Sequence, residues 1–298
     1  MKRLLLFTLT LTALAILSSY ATPTNVFATK SVKSNGDTEN FSAVCSSGQT
    51  LYYHITSSDA PYKVEIISQE SHPSGDLVIP STVAYNGTNY SVVGIGQFAF
   101  YECEGLVSVK IPNSVTSIGE GAFAYCSSLN SISIPNSVKN IDNGAFYECS
   151  IKSIVIPNSV TSIGYDVFSN CNKLESISVD KENPIYDSRN KCNAIIETAT
   201  NKLIIGCMNT TIPDSITSIG FDAFAGCSNL KSITIPKSLT SIEENAFSGC
   251  TNLSSIKIPN TVTSIGESAF AKCNSLPEKT VKKIKGINEN AFFVESEN

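Results

Sequence analysis

The sequence contains no Trp and only two His in 298 residues, and charged residues make up only 16% of it. Lys and Arg (21) are fewer than Asp and Glu (26), which gives a formal net charge of −5. Nucleic-acid-binding proteins usually carry a basic stripe, and a metal site built on imidazole needs several His side chains. We therefore expect no nucleic-acid partner and no His-based metal site.

Long apolar runs are also missing, except at the N-terminus. Lys2-Arg3 precedes an apolar run from Leu4 to Leu17, and Ser18-Ser19-Tyr20-Ala21 then places small residues three and one before a cleavage point. This order is typical of a secretory signal peptide, here residues 1–21, although Val26-Phe27-Ala28 offers a second cleavage point. The run is shorter than the roughly 20 residues that span a membrane, and no later stretch qualifies. We expect an exported chain with no membrane span.

A unit of about 23 residues repeats through most of the chain. Residues 117–138 read SIGEGAFAYCSSLNSISIPNSV, and residues 218–239 read SIGFDAFAGCSNLKSITIPKSL. One Phe recurs with spacings of 23, 23, 22, 56, 23, 23 and 22 residues, at Phe100, Phe123, Phe146, Phe168, Phe224, Phe247, Phe270 and Phe292. A period in this range marks a solenoid or propeller, in which each unit buries its apolar side by stacking on its neighbours.

The apolar period changes within one unit. Spacings of three and four from Ile118 to Cys126 predict a helix of about two turns. Alternating Ser and Ile over residues 131–134 predict a strand that Pro135 ends. Stacked coils would align such strands in a parallel sheet, with 132–134 in register between 109–111 and 154–156, at about 4.8 Å per coil. The expected fold is an α/β solenoid with a parallel sheet on one face and short helices on the other.

The unit Ser-Ile-Gly-x-x-Ala-Phe-x-x-Cys-x-x-Leu-x-Ser-Ile-x-Ile-Pro-x-Ser-Val resembles the Treponema-type leucine-rich repeat of BspA-like surface proteins, over roughly residues 91–292. The resemblance implies a curved, right-handed leucine-rich-repeat superhelix that bacteria export, with adhesion to host matrix or other cells as its commonest proposed role. Ser137 departs from the Asn or Cys of the ordinary repeat, so the usual Asn ladder is absent. Residues 180–211 break the period and resemble an insert of this family, identified by Asn183-Pro184-Ile185-Tyr186.

The remaining segments are assigned from their composition. Residues 22–44 lack a sustained apolar period and are predicted to be a flexible leader. Residues 45–93 show strand-like runs and a hairpin signal at Asn86-Gly87, and we expect them to form a β-rich cap that covers the open end of the solenoid. The solenoid then occupies residues 94–298, with the irregular insert at 180–211.

Ten Cys in an exported chain invite disulfides. Seven of them recur in the repeat, where neighbouring Cβ atoms would be about 4.8 Å apart or more, wider than the roughly 3.5 to 4.5 Å of a disulfide, so buried free thiols are expected. Cys192 and Cys207 flank the strand-like runs 193–197 and 202–206. A hairpin of these runs would bring the two cysteines opposite each other. The sequence then allows a disulfide between them and a pair of free thiols equally well.

Catalytic motifs were not found. The sequence has no His-Glu-x-x-His, no Gly-x-Ser-x-Gly, no phosphate-binding glycine loop and no metal-spaced Cys/His cluster. His54 and His72 are assigned to the cap. We expect no catalytic residue, no cofactor and no metal, so the chain is predicted not to be an enzyme.

Two groups of residues are candidates for contact with a partner. The outward positions of the predicted strands form a ladder of hydroxyls, which either solvates the sheet or binds a partner: Ser131, Ser133, Ser153, Ser176, Ser178, Ser232 and Thr234. Tyr101, Tyr125 and Tyr147 follow the repeated Phe in the first three coils only, and Tyr186 lies in the insert. Tyr is a common interface anchor, but packing against the cap would also explain the first three.

These observations predict an exported interaction or adhesion module that binds a protein or glycan, with host extracellular matrix as one candidate. An enzyme or accessory protein that acts on extracellular glycan is the main alternative. A self-associating structural surface protein is the other.

Overall fold

The computed structural model describes residues 40–294, so the predicted signal peptide and residues 22–39 of the predicted leader lie outside the described residues. The first strand, β1, occupies Asn40–Val44 and pairs with β2. Phe41 on β1 is buried and its ring stacks on Tyr85 and Tyr53, with centroids 4.2 and 5.4 Å away. The end of the predicted leader therefore belongs to the folded core, because one aromatic side chain anchors it.

The N-terminal cap is rich in strands. They are β1, β2 (Thr50–Ser57), β3 (Lys63–Ile66), β4 (Gly75–Val78), β5 (Thr82–Tyr85) and β6 (Thr88–Ile95). β5 and β6 form an antiparallel hairpin, with Asn86 and Gly87 in the left-handed conformation at its turn. β4 and β6 each pair in parallel with a strand of the first coil. The cap thus supplies the first strand of two parallel sheets, which covers the end of the solenoid.

Each coil contributes one strand to each of two sheet faces. The longer strands form the strand face: β7 (Leu106–Lys110), β9 (Ser131–Ser133), β11 (Ser153–Ile156), β13 (Ser176–Val179), β18 (Ser232–Thr234) and β20 (Ser255–Lys257). The shorter strands form the second sheet, which the insert divides into two ladders: β8 (Ser117–Ile118), β10 (Asn140–Ile141) and β12 (Ser162–Ile163), then β17 (Ser218–Ile219), β19 (Ser241–Ile242) and β21 (Ser264–Ile265). Equivalent residues pair in register, as Val109 does with Ile132 and Ile118 with Ile141. The second sheet was not predicted.

The prediction of short helices within the repeats was wrong. The seven Phe segments from Phe100 to Phe270 are series of turns. Residues two before and two after each of these seven Phe have a positive φ, as Gly121 (55°) and Tyr125 (62°) do around Phe123. A left-handed residue cannot continue a right-handed helix. The backbone groups of these turns bond to the next coil instead, as the Phe123 N–H does to the Ala145 carbonyl at 2.8 Å.

Helical structure is confined in the described residues to three short segments. Two are 3-10 turns at Arg189–Lys191 and Glu289–Phe292, and the third is the α-helix α1 (Glu278–Lys285). α1 lies after the last complete coil, where it buries Ile284 against the C-terminal end of the core.

The strand face is interrupted within its first half. β9 pairs with β7 as predicted, but it forms no ladder with β11, which belongs to a separate sheet with β13. The spacing from Cys126 to Leu129 is three residues, whereas that from Cys149 to Ile151 is two. β9 and β11 lie side by side without a backbone ladder, so the predicted pairing of 132–134 with 154–156 is wrong.

The insert contributes a hairpin to the second sheet. Its strands are β14 (Tyr186–Asp187), β15 (Ala194–Glu197) and β16 (Lys202–Gly206). β15 and β16 are antiparallel, and β16 pairs in parallel with β17. Ile195 and Ile205 pack into the core of the N-terminal coils, and Ile196 and Leu203 into the core of the C-terminal coils. The hairpin is therefore buried on both faces and joins the two halves of the core.

Candidate interaction surfaces

The strand face carries the predicted row of hydroxyls. Because side chains alternate along a strand, Ile132, Ile154 and Ile233 point into the core while their neighbours face outward. Six of the predicted residues are exposed and Ser178 is half-buried; the exposed ones are Ser131, Ser133, Ser153, Ser176, Ser232 and Thr234. Val155 lies in the same row with 59% of its surface exposed. The face is thus a hydroxyl-rich surface on which Val155 is the most exposed aliphatic side chain.

A shallow cleft of about 620 Å³ lies at the end of strands β7 and β9. Its polar lining residues are Lys110, Asn113, Ser133, Asn136 and Ser137. Ser137 is held in place because its Oγ donates to the Val115 carbonyl at 2.6 Å. Sequence reasoning missed Asn113 and Asn136, although the recurring Pro-Asn-Ser that ends these strands marks their position.

The three tyrosines of the first coils form a stack. Tyr101 contacts Tyr125 and Tyr125 contacts Tyr147, with ring centroids 5.4 and 5.3 Å apart. Phe98, in the same coil as Tyr101, forms an edge-to-face contact with it, with ring centroids 5.6 Å apart. The Phe98 ring therefore covers this end of the stack. All three side chains are half-buried, and burial raises the pKa of each phenol. Part of each ring therefore packs between coils, and only the remaining part is open to a partner.

Tyr186 is not available as a surface anchor. Only 7% of its surface is exposed, because β14 lies against β15 with the ring directed into the N-terminal core. Its backbone N–H donates to Asn183 Oδ1 at 2.8 Å. The predicted contact role of Tyr186 is therefore wrong, and the residue holds the insert in place.

One ionic cluster fixes the insert on the neighbouring coil. The Arg189 guanidinium binds both carboxylate oxygens of Asp187, at 2.8 Å from Nε and 2.5 Å from Nη2. Its Nη1 also donates to Asn201 Oδ1 at 2.7 Å and to Ser215 Oγ at 3.2 Å. Burial opposes ionisation of Asp187, but the hydrogen bonds from Arg189 and Thr198 outweigh it and hold its pKa below the usual value.

All ten cysteines are free thiols. The insert hairpin is antiparallel and pairs Ala194 with Gly206. This register sets Asn193, and not Cys192, opposite Cys207. Their Sγ atoms contact separate backbone carbonyls, Cys192 that of Ala194 at 3.8 Å and Cys207 that of Asn193 at 3.4 Å. The candidate disulfide is thus absent from the structure, because the bulged hairpin does not set the two cysteines opposite each other.

Residues 40–294 lack two further features. No helix in this range is long and apolar enough to cross a membrane. Within the same range, no three His, Cys, Asp or Glu side chains are arranged to hold a metal ion.

Comparison with known proteins identifies the family. Residues 93–203 and 205–296 match the sequence profile described as BspA type leucine rich repeat region, in six copies. No curated protein matches the chain. The match covers most of the solenoid and agrees with the resemblance seen in the sequence.

Two solved structures, from Eubacterium ventriosum and pneumococcus, show the same kind of fold. A leucine-rich repeat protein from Eubacterium ventriosum ATCC 27560 is 25% identical with a TM-score of 0.56, over 81% of this chain and 71% of that chain. The pneumococcal vaccine antigen PcpA is 14% identical with a TM-score of 0.55, over 76% and 78% respectively. The leucine rich repeat protein of T. pallidum is 28% identical with a TM-score of 0.45, over 76% and 88%. By its sequence profile, the chain belongs to the BspA-type leucine-rich repeat family.

Proposed function

We propose that this chain is an exported interaction module that binds a protein or a glycan through its strand face. The observation that carries the proposal is the row of exposed hydroxyls from Ser131 to Thr234, set on strands whose other side chains are buried. Repeat solenoids use extended surfaces of this kind for binding. Export rests on the predicted signal peptide, and a role in adhesion rests on the family.

The chemistry of the strand face suits a polar partner. Ser and Thr rarely provide much binding energy singly, but a rigid surface loses little conformational freedom on binding. Val155 supplies an apolar contact in the middle of the row. The cleft beside Lys110, Asn113 and Asn136 adds a cation and amide groups that both donate and accept hydrogen bonds. We therefore propose a partner rich in hydroxyl, amide or carboxylate groups, with extracellular matrix as the first candidate.

The proposal is tested with purified matrix proteins and polysaccharides immobilised on a biosensor surface. The paired variant Ser131→Arg/Ser176→Arg places two bulky cations on the strand face, and Asn140→Arg/Ser162→Arg places the same cations on exposed positions of the second sheet. We expect the first variant to weaken binding more than tenfold, which is about 1.4 kcal/mol, and the second to bind normally. Equal melting temperatures would show that both variants are folded.

Three results would overturn the proposal. Unchanged binding by the strand-face variant, together with loss in a folded Tyr125→Ser variant, would move the surface to the tyrosine stack. Release of reducing ends from a polysaccharide would favour the glycan-active alternative. Concentration-dependent self-association that the strand-face variant abolishes would favour the structural surface protein.

A further inference from the structure

Two aromatic side chains meet at the outer surface where the insert interrupts the repeat. Tyr165 and Phe221 are 56 residues apart in sequence, yet their rings form an edge-to-face pair with centroids 5.2 Å apart. Each lies two residues after a strand of the second sheet. The equivalent residue of every other described coil is polar: Gln97, Glu120, Asn143, Glu244, Glu267 and Glu289. Tyr165 is 63% exposed, the most exposed aromatic residue in the described chain.

Carboxylates continue this line on both sides of the aromatic pair. Glu120 occupies the equivalent position before Tyr165, and Glu244 and Glu267 occupy it after Phe221. Asp142 and Glu243 lie one residue before that position on their own coils. We call these seven residues the acidic–aromatic ridge. Neighbouring coils are about 4.8 Å apart, so the side chains follow one another at short, regular steps.

The ridge has few cations of its own. Lys202 Nζ binds Glu243 Oε1 at 2.6 Å, and in the described part of the chain no other ion pair involves a ridge carboxylate. Burial and the charge of Asp142 raise the pKa of Glu120. The ridge therefore concentrates negative charge that the fold leaves largely uncompensated.

We propose that the acidic–aromatic ridge binds a Lys- or Arg-rich segment of a partner protein. A cationic side chain would lie on the open face of the Tyr165 ring, where the attraction is worth about 0.5 to 1 kcal/mol at an exposed site. Neighbouring cations of the same segment would pair with Glu244 on one side and Asp142 on the other. Such charge complementarity sets specificity and the rate of association more than affinity. The ridge follows the second sheet, so this proposal does not depend on the strand face.

A purely structural role for the aromatic pair is the competing explanation. The Phe221 N–H donates to Glu243 Oε2 at 3.0 Å, and the ring of Tyr165 covers part of the junction between the two coils. In that case removing the Tyr165 ring would lower stability without changing the binding of any cationic ligand. The exposure of Tyr165 argues against this explanation, because a side chain that only sealed the junction would be buried.

The test uses the whole chain and a fluorescent twelve-residue peptide of alternating Lys and Ser, followed by anisotropy at low and moderate salt. We expect saturable, salt-weakened binding that Tyr165→Ser reduces about fivefold, the equivalent of about 1 kcal/mol. Tyr165→Phe keeps the ring and should retain the affinity. Glu244→Gln should weaken binding and reduce its dependence on salt.

Matched controls separate the ridge from general attraction to an acidic protein. Tyr62→Ser removes another exposed tyrosine, and Glu182→Gln removes an exposed carboxylate in the insert. Both controls should bind as the parent chain does. Equal weakening by ridge and control variants, or equal affinity of Tyr165→Ser and the parent, would overturn the proposal.

The chain also carries a basic segment of its own, helix α1, with Lys279, Lys282, Lys283 and Lys285. Sedimentation velocity without peptide tests whether a second copy occupies the ridge. Self-association that both Lys279→Glu and Tyr165→Ser abolish would replace the foreign partner with a second copy and so overturn the proposal. A monomer at all concentrations, together with ridge-dependent peptide binding, supports it. Strand-face variants should bind the peptide normally, which keeps this test independent of the one above.

Discussion

The thiol of Cys126 donates a hydrogen bond to the backbone carbonyl of Phe100, one coil earlier, with a Sγ–O distance of 3.1 Å. The same bond recurs along the solenoid, from Cys149 to Phe123, Cys171 to Phe146, Cys250 to Phe224 and Cys273 to Phe247. Each of these carbonyls also accepts a backbone N–H within its own coil, as the Phe100 carbonyl does from Cys103 at 3.2 Å. The repeated cysteines thus link successive coils in place of the Asn ladder that the sequence lacks.

The thiols are expected to be free but unreactive in the folded protein. Burial raises the pKa of Cys126, Cys149 and Cys250, and the thiolate is the form that reacts with alkylating agents. Iodoacetamide at pH 8 should therefore leave the repeat cysteines unlabelled in native protein. After denaturation without reductant, mass spectrometry should find each of them labelled.

The same experiment reports on the insert. Cys192 and Cys207 should also label after denaturation, because the structure holds both as free thiols. A Cys192–Cys207 disulfide-linked peptide would contradict the hairpin register, and a Cys126–Cys149 peptide would contradict the thiol ladder.

The repeated Phe rings stack on one another within each half of the solenoid core, and this stack should supply much of the stability of that half. Phe123 is fully buried, with its ring stacked between Phe100 at 5.1 Å and Phe146 at 5.5 Å. Phe123→Ala removes both contacts and leaves a cavity, so it should lower the free energy of unfolding by about 3 to 5 kcal/mol. Urea denaturation measures this loss. Phe293→Ala, at an exposed position, is the control and should cost less than about 1 kcal/mol.

The sequence predicts the strands and the buried residues better than it predicts the turns. A fixed period identifies the Phe and Cys positions, and alternation identifies the strands, because both patterns depend on which side chains are buried. The spacing of Ile118, Ala122 and Phe123 also fits a helix, and only backbone conformation excludes it. Tyr125 and Lys272 have φ of 62° and 59°, which neither residue type favours.

A signal for these turns was nevertheless present in the sequence. The residue two before the Phe is Gly, Asp or Asn in most coils, as at Gly121, Asp166 and Asn245, and these residue types adopt the left-handed conformation most readily. The burial of Tyr186 had no comparable signal. It depends on β14 pairing with β15 and packing on an earlier coil, and no local pattern encodes a contact at that distance.

Gly206 is expected to be required where the insert joins the next coil. Its N–H donates to the Ala223 carbonyl at 2.7 Å, the same kind of bond that six of the repeated Phe make with the following coil. A Cβ at Gly206 would overlap the ring of Phe224. Gly206→Ala should therefore lower the free energy of unfolding by about 1 to 3 kcal/mol, the usual cost of overpacking.

A double-mutant cycle separates this overlap from a general effect of the substitution. Phe224→Leu shortens the obstructing side chain, so adding Gly206→Ala to it should cost less than in the parent chain. Gly48→Ala is unsuitable as a control because its φ is 90°, whereas Gly286 has a negative φ and an uncrowded Cβ position. Gly286→Ala should be nearly neutral. Strictly additive effects of the two core substitutions would show that Gly206 and Phe224 do not conflict.

The last prediction concerns two carboxyl groups at the junction between the coils of Phe168 and Phe224. Asp222 is only 8% exposed, and it faces Asp166, Glu244 and Asn245. Burial, followed by the charge of Asp166, raises the pKa of Asp222 to about 9. The folded chain therefore holds a proton at pH 7 that an unfolded chain, with an ordinary Asp pKa near 3.9, has released.

This difference sets the sign of the pH dependence. Since the folded state binds more protons between about pH 4 and pH 9, Asp222 makes the free energy of unfolding fall as pH rises, by at most about 1.4 kcal/mol per pH unit. Asp222→Asn keeps a neutral hydrogen-bond donor beside Asp166 but removes the carboxyl group that binds this proton. Urea denaturation at pH 5, 7 and 8.5 should show a flatter profile for the variant and greater stability than the parent at pH 8.5. Asp214→Asn, at an exposed position, is the control and should show the same change of stability with pH as the parent. Parallel pH profiles for the parent and both variants would show instead that Asp222 is ionised in the folded state.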